Sequence, residues 1–279
     1  MSQTPLTRRL SAFFGLAIQI ITVVFFARMT IDIGTRLLGP FIPQYAAGLG
    51  LSIVGFSWFL FVRALAGMAG PLAGIMADRY GPRRLMAAGL VSQAIGVTGL
   101  AFVPGWWALV PMVFYGFALA AFIPAQQSYI SAQVAYRHRG RALAAIEFSW
   151  ALTGILALPV AGWLIDSIGW RAPLLLLGLA SLLLTGLVWV LLPRSPRSRF
   201  ERPDRLQLRQ VFRRRGVLIS ILVATLLFLG ASTFGTIWSI WLSADFGLTA
   251  VGLGLVATAI GVAELAGSAL SGLFIDRVG

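Results

Sequence analysis

Gly74-Ile75-Met76-Ala77-Asp78-Arg79-Tyr80-Gly81 closes one long apolar run, and Gly272-Leu273-Phe274-Ile275-Asp276-Arg277-Val278-Gly279 closes another. Both read G-x-x-x-D-R-x-G, and they begin 198 residues apart. The stretches ahead of them correspond as well: Leu51-Ser52-Ile53-Val54-Gly55 precedes the first copy and Leu248-Thr249-Ala250-Val251-Gly252 the second. A repeat of this period, in a chain that is 58% hydrophobic and 11% charged, points to a membrane protein assembled from two copies of one helical unit.

Soluble domains average about 25% charged residues. Here apolar stretches of membrane-spanning length follow one another with short breaks, the pattern of an all-α polytopic bundle. Eight helices are predicted, over 11–38, 50–77, 83–103, 107–134, 141–165, 172–192, 216–242 and 249–275. Gly39-Pro40 with Pro43, Val103-Pro104-Gly105 and Leu192-Pro193 punctuate them. Domains follow: a six-helix unit over 1–192, an Arg-rich linker over 193–215, and two further helices over 216–279. Residues 11–38 are read as helix 1 and not as a signal peptide, since the run is long and carries Arg28 and Asp32 without a small-x-small cleavage site.

All 22 basic residues are Arg, giving a net charge of +13. Eighteen of them lie in the N-terminus, the breaks after helices 2 and 4, the 193–215 segment and the end of the chain, against Arg171 alone on the opposite side. This asymmetry predicts a cytoplasmic N-terminus and linker, with 39–49 and 243–248 outside. It assigns the positive charge to topology and anionic lipid headgroups and not to nucleic acid. The absence of Lys and Asn suggests a GC-rich bacterial genome and hence the bacterial cytoplasmic (inner) membrane. There is no Cys and one His, His138, in a loop among arginines, which leaves no metal site, no cofactor site and little from which to build an enzyme.

Each ionisable group inside a membrane helix asks for a reason, because burying it there costs at least about 2.5 kcal/mol. Arg28, Asp32 and Arg36 are spaced i, i+4, i+8 and share a face of helix 1. Asp32 either pairs within the helix with Arg28 or Arg36, or serves the site. With arginines on both sides it is the weakest proton-carrying candidate. Glu147 in helix 5 and Glu264 in helix 8 have no basic partner within their own helices and are the better candidates for proton coupling. Arg63, near the middle of helix 2, stands for either an anion-binding group or the partner of an acid on a helix outside these eight. Three arginines against three acids balance formally, so charge does not choose the solute.

With Gly74-x-x-x-Asp78-Arg79-x-Gly81-x-Arg83-Arg84 after helix 2, the chain resembles the major facilitator superfamily of secondary transporters. Arg139-Gly140-Arg141-Ala142 before helix 5 and Gly169-Trp170-Arg171-Ala172-Pro173 at helix 6 agree with it. The resemblance covers the whole chain, as the six-helix first half and the first two helices of the second half of a twelve-helix member. It implies a small-molecule solute moved by alternating access with protons, a monomer, and a gating loop formed by Gly74, Asp78, Arg79, Gly81, Arg83 and Arg84, repeated at Gly272, Asp276 and Arg277. The bland alternative is that these charges only cap the loop and set orientation. Helices 1, 4 and 7 line the cavity in the family, which adds Gln126, Gln127, Tyr129 and Gln133 as candidate contacts. Trp238 and Trp241 read better as an interfacial belt.

There are departures. Where members often carry an Arg in helix 4, four residues before a Gly, this chain has Met112. The helix 5 motif of proton antiporters appears as Gly154-x-x-x-Leu158-Pro159-x-x-Gly162, with one Gly replaced by Leu. The competing readings are a membrane enzyme, a channel, and a truncated, non-transporting fragment or pseudogene product whose helices 7 and 8 dock poorly.

Topology has a direct test in this Cys-free chain. In right-side-out vesicles an impermeant thiol reagent is expected to label Ala47→Cys and to leave Ser195→Cys unlabelled; the reverse pattern overturns the orientation.

Overall fold

A computed structural model describes residues 16–193 and 215–278, without the side chains of Asp78, Arg137, Arg215 and 268–278. Most of the 193–215 linker therefore lies outside the described residues, as do the side chains of Asp78, Asp276 and Arg277. Among the described residues all regular structure is helical. Eight spans are long and apolar enough to cross a membrane: α1 (Ile18–Gly48), α2 (Ile53–Ala77), α3 (Pro82–Phe102), α4 (Gly105–Gln133), α5 (His138–Ser167), α6 (Ala172–Leu191), α7 (Gly216–Phe246) and α8 (Ala250–Gly267). The helix of α8 itself continues to Val278.

The prolines re-aim helices more often than they end them. In α1 the α-helix Ile18–Arg36 gives way to a 3-10 turn, Gly39–Phe41, and then to a short helix, Ile42–Gly48. The segment 39–49, expected as a loop, is therefore largely helical. Pro40 and Pro43 each occupy a first-turn position, where the missing N–H would be unpaired anyway. The break leaves carbonyls in the last turn of Ile18–Arg36 open to side chains. Gly34 O accepts from the Tyr115 hydroxyl at 2.5 Å and Thr35 O from Arg63 Nη2 at 2.9 Å.

α2 is capped by Ser52, whose Oγ accepts from Gly55 N at 3.0 Å, and is interrupted between Gly67 and Gly70, ahead of Pro71. In α5 a π segment, Thr153–Ala157, precedes Pro159, and Leu158 N donates to Thr153 O. Pro159 cannot donate, and widening the ladder by one residue accommodates its ring.

Two apolar cores result. One lies toward the Arg-rich end and is built from α1 to α6 alone, with Val24, Ile31, Met86, Leu90, Phe122 and Ile130 fully enclosed. The other, at the opposite end, joins α1 to α6 with α7 and α8 through Phe41, Tyr45, Phe56, Trp238, Ala250 and Leu253. Trp238 is thus a core residue and not part of an interfacial belt, while Trp241 is exposed.

α7 and α8 are held at that second end. Ser239 Oγ donates to Gly39 O at 2.7 Å. Asp166, at the end of α5, accepts from Ala250 N at 3.2 Å and Val251 N at 2.9 Å, a carboxylate on the N-terminus of α8. Toward the Arg-rich end α7 is exposed almost throughout residues 216–234. At the other end a shared apolar core and two backbone caps seat both helices, so poor docking is not found there.

α5 and α8 pack backbone to backbone. A Cβ on Gly162 would lie 2.4 Å from Ala250 O, and one on Gly254 3.0 Å from Leu158 O. Leu158, in place of the expected Gly, is accommodated because the small residue sits across from it on α8. Helices in lipid gain their association from such close packing. Gly162→Val is expected to destabilise the protein by about 1–3 kcal/mol through overpacking, read as a lowered melting temperature in detergent. Gly186→Ala, with nothing within 4 Å of the added carbon, is expected to leave it nearly unchanged.

Candidate functional site

The i, i+4 spacing on α1 puts Arg28 and Asp32 on one face, and the bundle encloses both, at 6% and 0% exposure. Arg28 Nε donates to Asp32 Oδ1 at 2.8 Å. Its Nη1 and Nη2 donate to Glu147 Oε1 and Oε2, both at 3.0 Å, a bidentate pair with α5. Nη1 also donates to Gln126 Oε1 on α4 at 3.1 Å. Ser149 Oγ completes the cluster by donating to Asp32 Oδ2 at 2.6 Å. One guanidinium thus serves two carboxylates and joins three helices. Gln126 Nε2 is buried with no partner among the described residues.

The two carboxylates differ in access. The Asp32 side chain is fully enclosed and Glu147 is 47% exposed. The pairing expected within helix 1 is therefore found with Arg28, and Glu147 is not the unpaired acid that its own helix suggested. The same correction applies to Glu264, which accepts from Arg36 Nη1 at 2.8 Å. Arg36 also stacks on the Trp150 ring at 4.7 Å and reaches Trp150 O at 3.4 Å. It therefore ties α1 to α5 and α8 at once. Next to it Gly154 faces Gly261 across the α5–α8 contact.

Arg63 has no acidic partner among the described residues. Besides Thr35 O it has the Tyr115 ring, 4.9 Å from its guanidinium carbon. Gln127 is exposed and outside the cluster, whereas Gln126 is fully buried within it. Tyr129 reaches Pro193 O at 3.3 Å, near the end of α6. Met112 is fully enclosed among apolar neighbours.

Ser149 and Tyr115 escaped the sequence reading. Hydroxyls in apolar helices usually return to their own i−4 carbonyl, as Thr22, Thr30, Thr35, Ser57 and Ser167 do here. Ser149, like Ser92 and Ser239, departs from this pattern, and nothing local marks it as doing so.

In the loop motif, Gly81 has φ +90°, a conformation that favours Gly, and it both ends the helix Gly70–Tyr80 and starts α3. Gly74 has open space where a side chain would stand. Arg83 donates to Trp189 O and stacks on the Trp189 ring at 5.1 Å, which fastens the loop to α6. Arg79 lies over Tyr80 at 5.4 Å, and Arg84 is exposed.

The family model of the Major Facilitator Superfamily matches residues 24–279. The "Multi-drug resistance efflux pump PmrA" of Streptococcus pneumoniae is 27% identical over 162 residues, covering 56% of this chain and 40% of that protein. The "Multi-drug resistance efflux pump PmrA homolog" of Lactococcus lactis is 25% identical over 256 residues, covering 87% and 63%. The chain therefore spans between two fifths and two thirds of the length of these relatives. The crystal structure of a D-xylose-proton symporter superposes with a TM-score of 0.71 at 17% identity, over 93% of this chain and 69% of that one, a likeness of fold.

Burial sets the weight of each pair. Arg28→Met leaves Asp32 enclosed without its cation and is expected to cost about 3–5 kcal/mol. Glu264→Gln removes a pair whose acid is 42% exposed, and is expected to cost about 1 kcal/mol or less. Unfolding of the purified variants in detergent measures the contrast; equal losses would contradict it.

Proposed function

The chain belongs to the Major Facilitator Superfamily, and from that premise we propose that it moves a small solute across the bacterial cytoplasmic membrane by secondary, proton-coupled transport. The N-terminus and the 193–215 linker face the cytoplasm in this reading, as the arginine asymmetry indicates. Residues 1–192 form one half of the machine and 216–279 begin the other. The two relatives, both carrying names of efflux pumps, support transport of small solutes.

The observation that carries the coupling is the division of Arg28 between an enclosed Asp32 and a half-exposed Glu147. A proton on Glu147 removes the negative charge that holds two of the guanidinium's donors, and Arg28 keeps Asp32 as its counterion. The α1–α5 contact thus has two arrangements that differ by one proton, which is what a coupled transporter needs. Glu264 supplies a second such contact, between α1 and α8, through Arg36. The apolar core shared with α7 and α8 at the end away from the arginines fits a state closed to the outside.

In the full-length protein reconstituted into liposomes, Glu147→Gln is expected to abolish accumulation driven by a pH gradient while lowering solute affinity less than threefold. Glu264→Gln is expected to weaken the same coupling. A Glu147→Gln protein that retains full pH-driven flux removes Glu147 from the mechanism.

A further inference from the structure

The three arginines and three acids inside the membrane cancel in number but not in space. Asp32 and Glu147 both fall on Arg28, and Glu264 falls on Arg36. The remaining described acids lie at helix ends: Asp166 caps α8, and Asp245 stands in the last turn of α7. Asp78, Glu201, Asp204 and Asp276 belong to the motif loops and the linker at the Arg-rich end. Among the described residues Arg63 is left with one backbone carbonyl and one aromatic face.

That environment is built to orient a guanidinium. The guanidinium carbon lies over the Tyr115 ring, Thr35 O takes Nη2, and the Tyr115 hydroxyl is itself anchored on Gly34 O. The Arg63 donors Nε and Nη1 have no acceptor among the described residues. Neither is among the enclosed polar atoms left without a partner, and Arg63 itself is only partly buried. An Arg held by one hydrogen bond and an aromatic face, with donors unspent, matches an oxyanion. Thr35 is one turn of α1 beyond Asp32, roughly 4.5 Å along the axis at 1.5 Å per residue. An anion bound at Arg63 would therefore sit beside the Arg28 cluster, where acids outnumber the cation by one.

We propose that Arg63, positioned by the Tyr115 ring and the Thr35 carbonyl, binds the anionic group of the solute, and that the transported class is small organic anions carrying a carboxylate. This rests on the transporter reading and names its substrate class. The Arg63 cation supplies the counter-charge for the solute, while the excess acid at Arg28 supplies the proton site, so that anion and proton lie on separate groups a turn apart.

The test is equilibrium binding to the purified protein in lipid nanodiscs, with acetate, benzoate and succinate each measured against its neutral amide. At least one carboxylate is expected to bind saturably and at least tenfold more tightly than its amide. Arg63→Gln is expected to abolish that preference. Arg63→Lys, which keeps the charge and loses the fork, is expected to retain part of it, and Tyr115→Leu to weaken binding severalfold. Melting temperature of each variant reports folding, and the carboxylate-to-amide preference of the unaltered protein needs no variant at all. No preference for any carboxylate, or a preference that survives Arg63→Gln, overturns the proposal. Flux measured in parallel separates the two readings. Anion binding at Arg63 without gradient-driven flux sinks transport and leaves the site. Flux confined to neutral or cationic solutes leaves transport and sinks the site.

Discussion

Everything inside this bundle is arranged around a guanidinium that hydrocarbon would not tolerate alone. Arg28 is nearly sealed, and four of its five N–H donors are spent on Asp32, Glu147 and Gln126. Those acceptors come from three helices, so the requirement to satisfy one charge fixes how α1, α4 and α5 sit. The apolar contacts around it are plentiful but unspecific, because lipid tails solvate Leu and Val as well as a neighbouring helix does. A buried charge with a fixed fork of donors does specify geometry. The same logic repeats at Arg36, which binds α5 and α8, and at Arg63, which spans α2, α4 and the frayed end of the first helix of α1.

The eight spans were legible because apolar length and Pro-Gly punctuation are local properties. Their ends were less so. Gly39-Pro40 was read as a stop, yet a proline in a first turn only redirects the chain, and 42–48 resumed as helix. The π segment of α5 could be suspected from Pro159 but not located. Charge partners were legible only where both members share a helix: Arg28 with Asp32 follows from i, i+4 spacing. Glu147 and Glu264 looked unpaired because their arginines stand 119 and 228 residues away in sequence. The formal balance of three against three concealed that, among the described residues, one Arg takes two acids and another takes none. That asymmetry exists only in the folded chain.

The two ends of the molecule differ in how α7 and α8 meet the first six helices. Away from the arginines, α7 and α8 join the core of the first six helices through Trp238, Ala250 and Leu253, with glycines at Gly162 and Gly254 allowing the close α5–α8 contact. Toward the Arg-rich end the first six helices close on themselves and α7 stands apart. The ion pair Arg36–Glu264 lies where the two regimes meet. It is half-exposed and therefore weak, which suits a contact that forms and breaks.

The central claim is that Arg28 is energetically shared between α1 and α5, and not simply neutralised within α1. A double-mutant cycle of Arg28→Met and Glu147→Gln, read by unfolding in detergent, isolates that term. Independent sites add within about 0.5 kcal/mol, whereas members of one buried network couple by about 0.5–3 kcal/mol. The shared bidentate pair predicts a coupling above about 1 kcal/mol. Additive losses would place Glu147 outside the network and contradict the account.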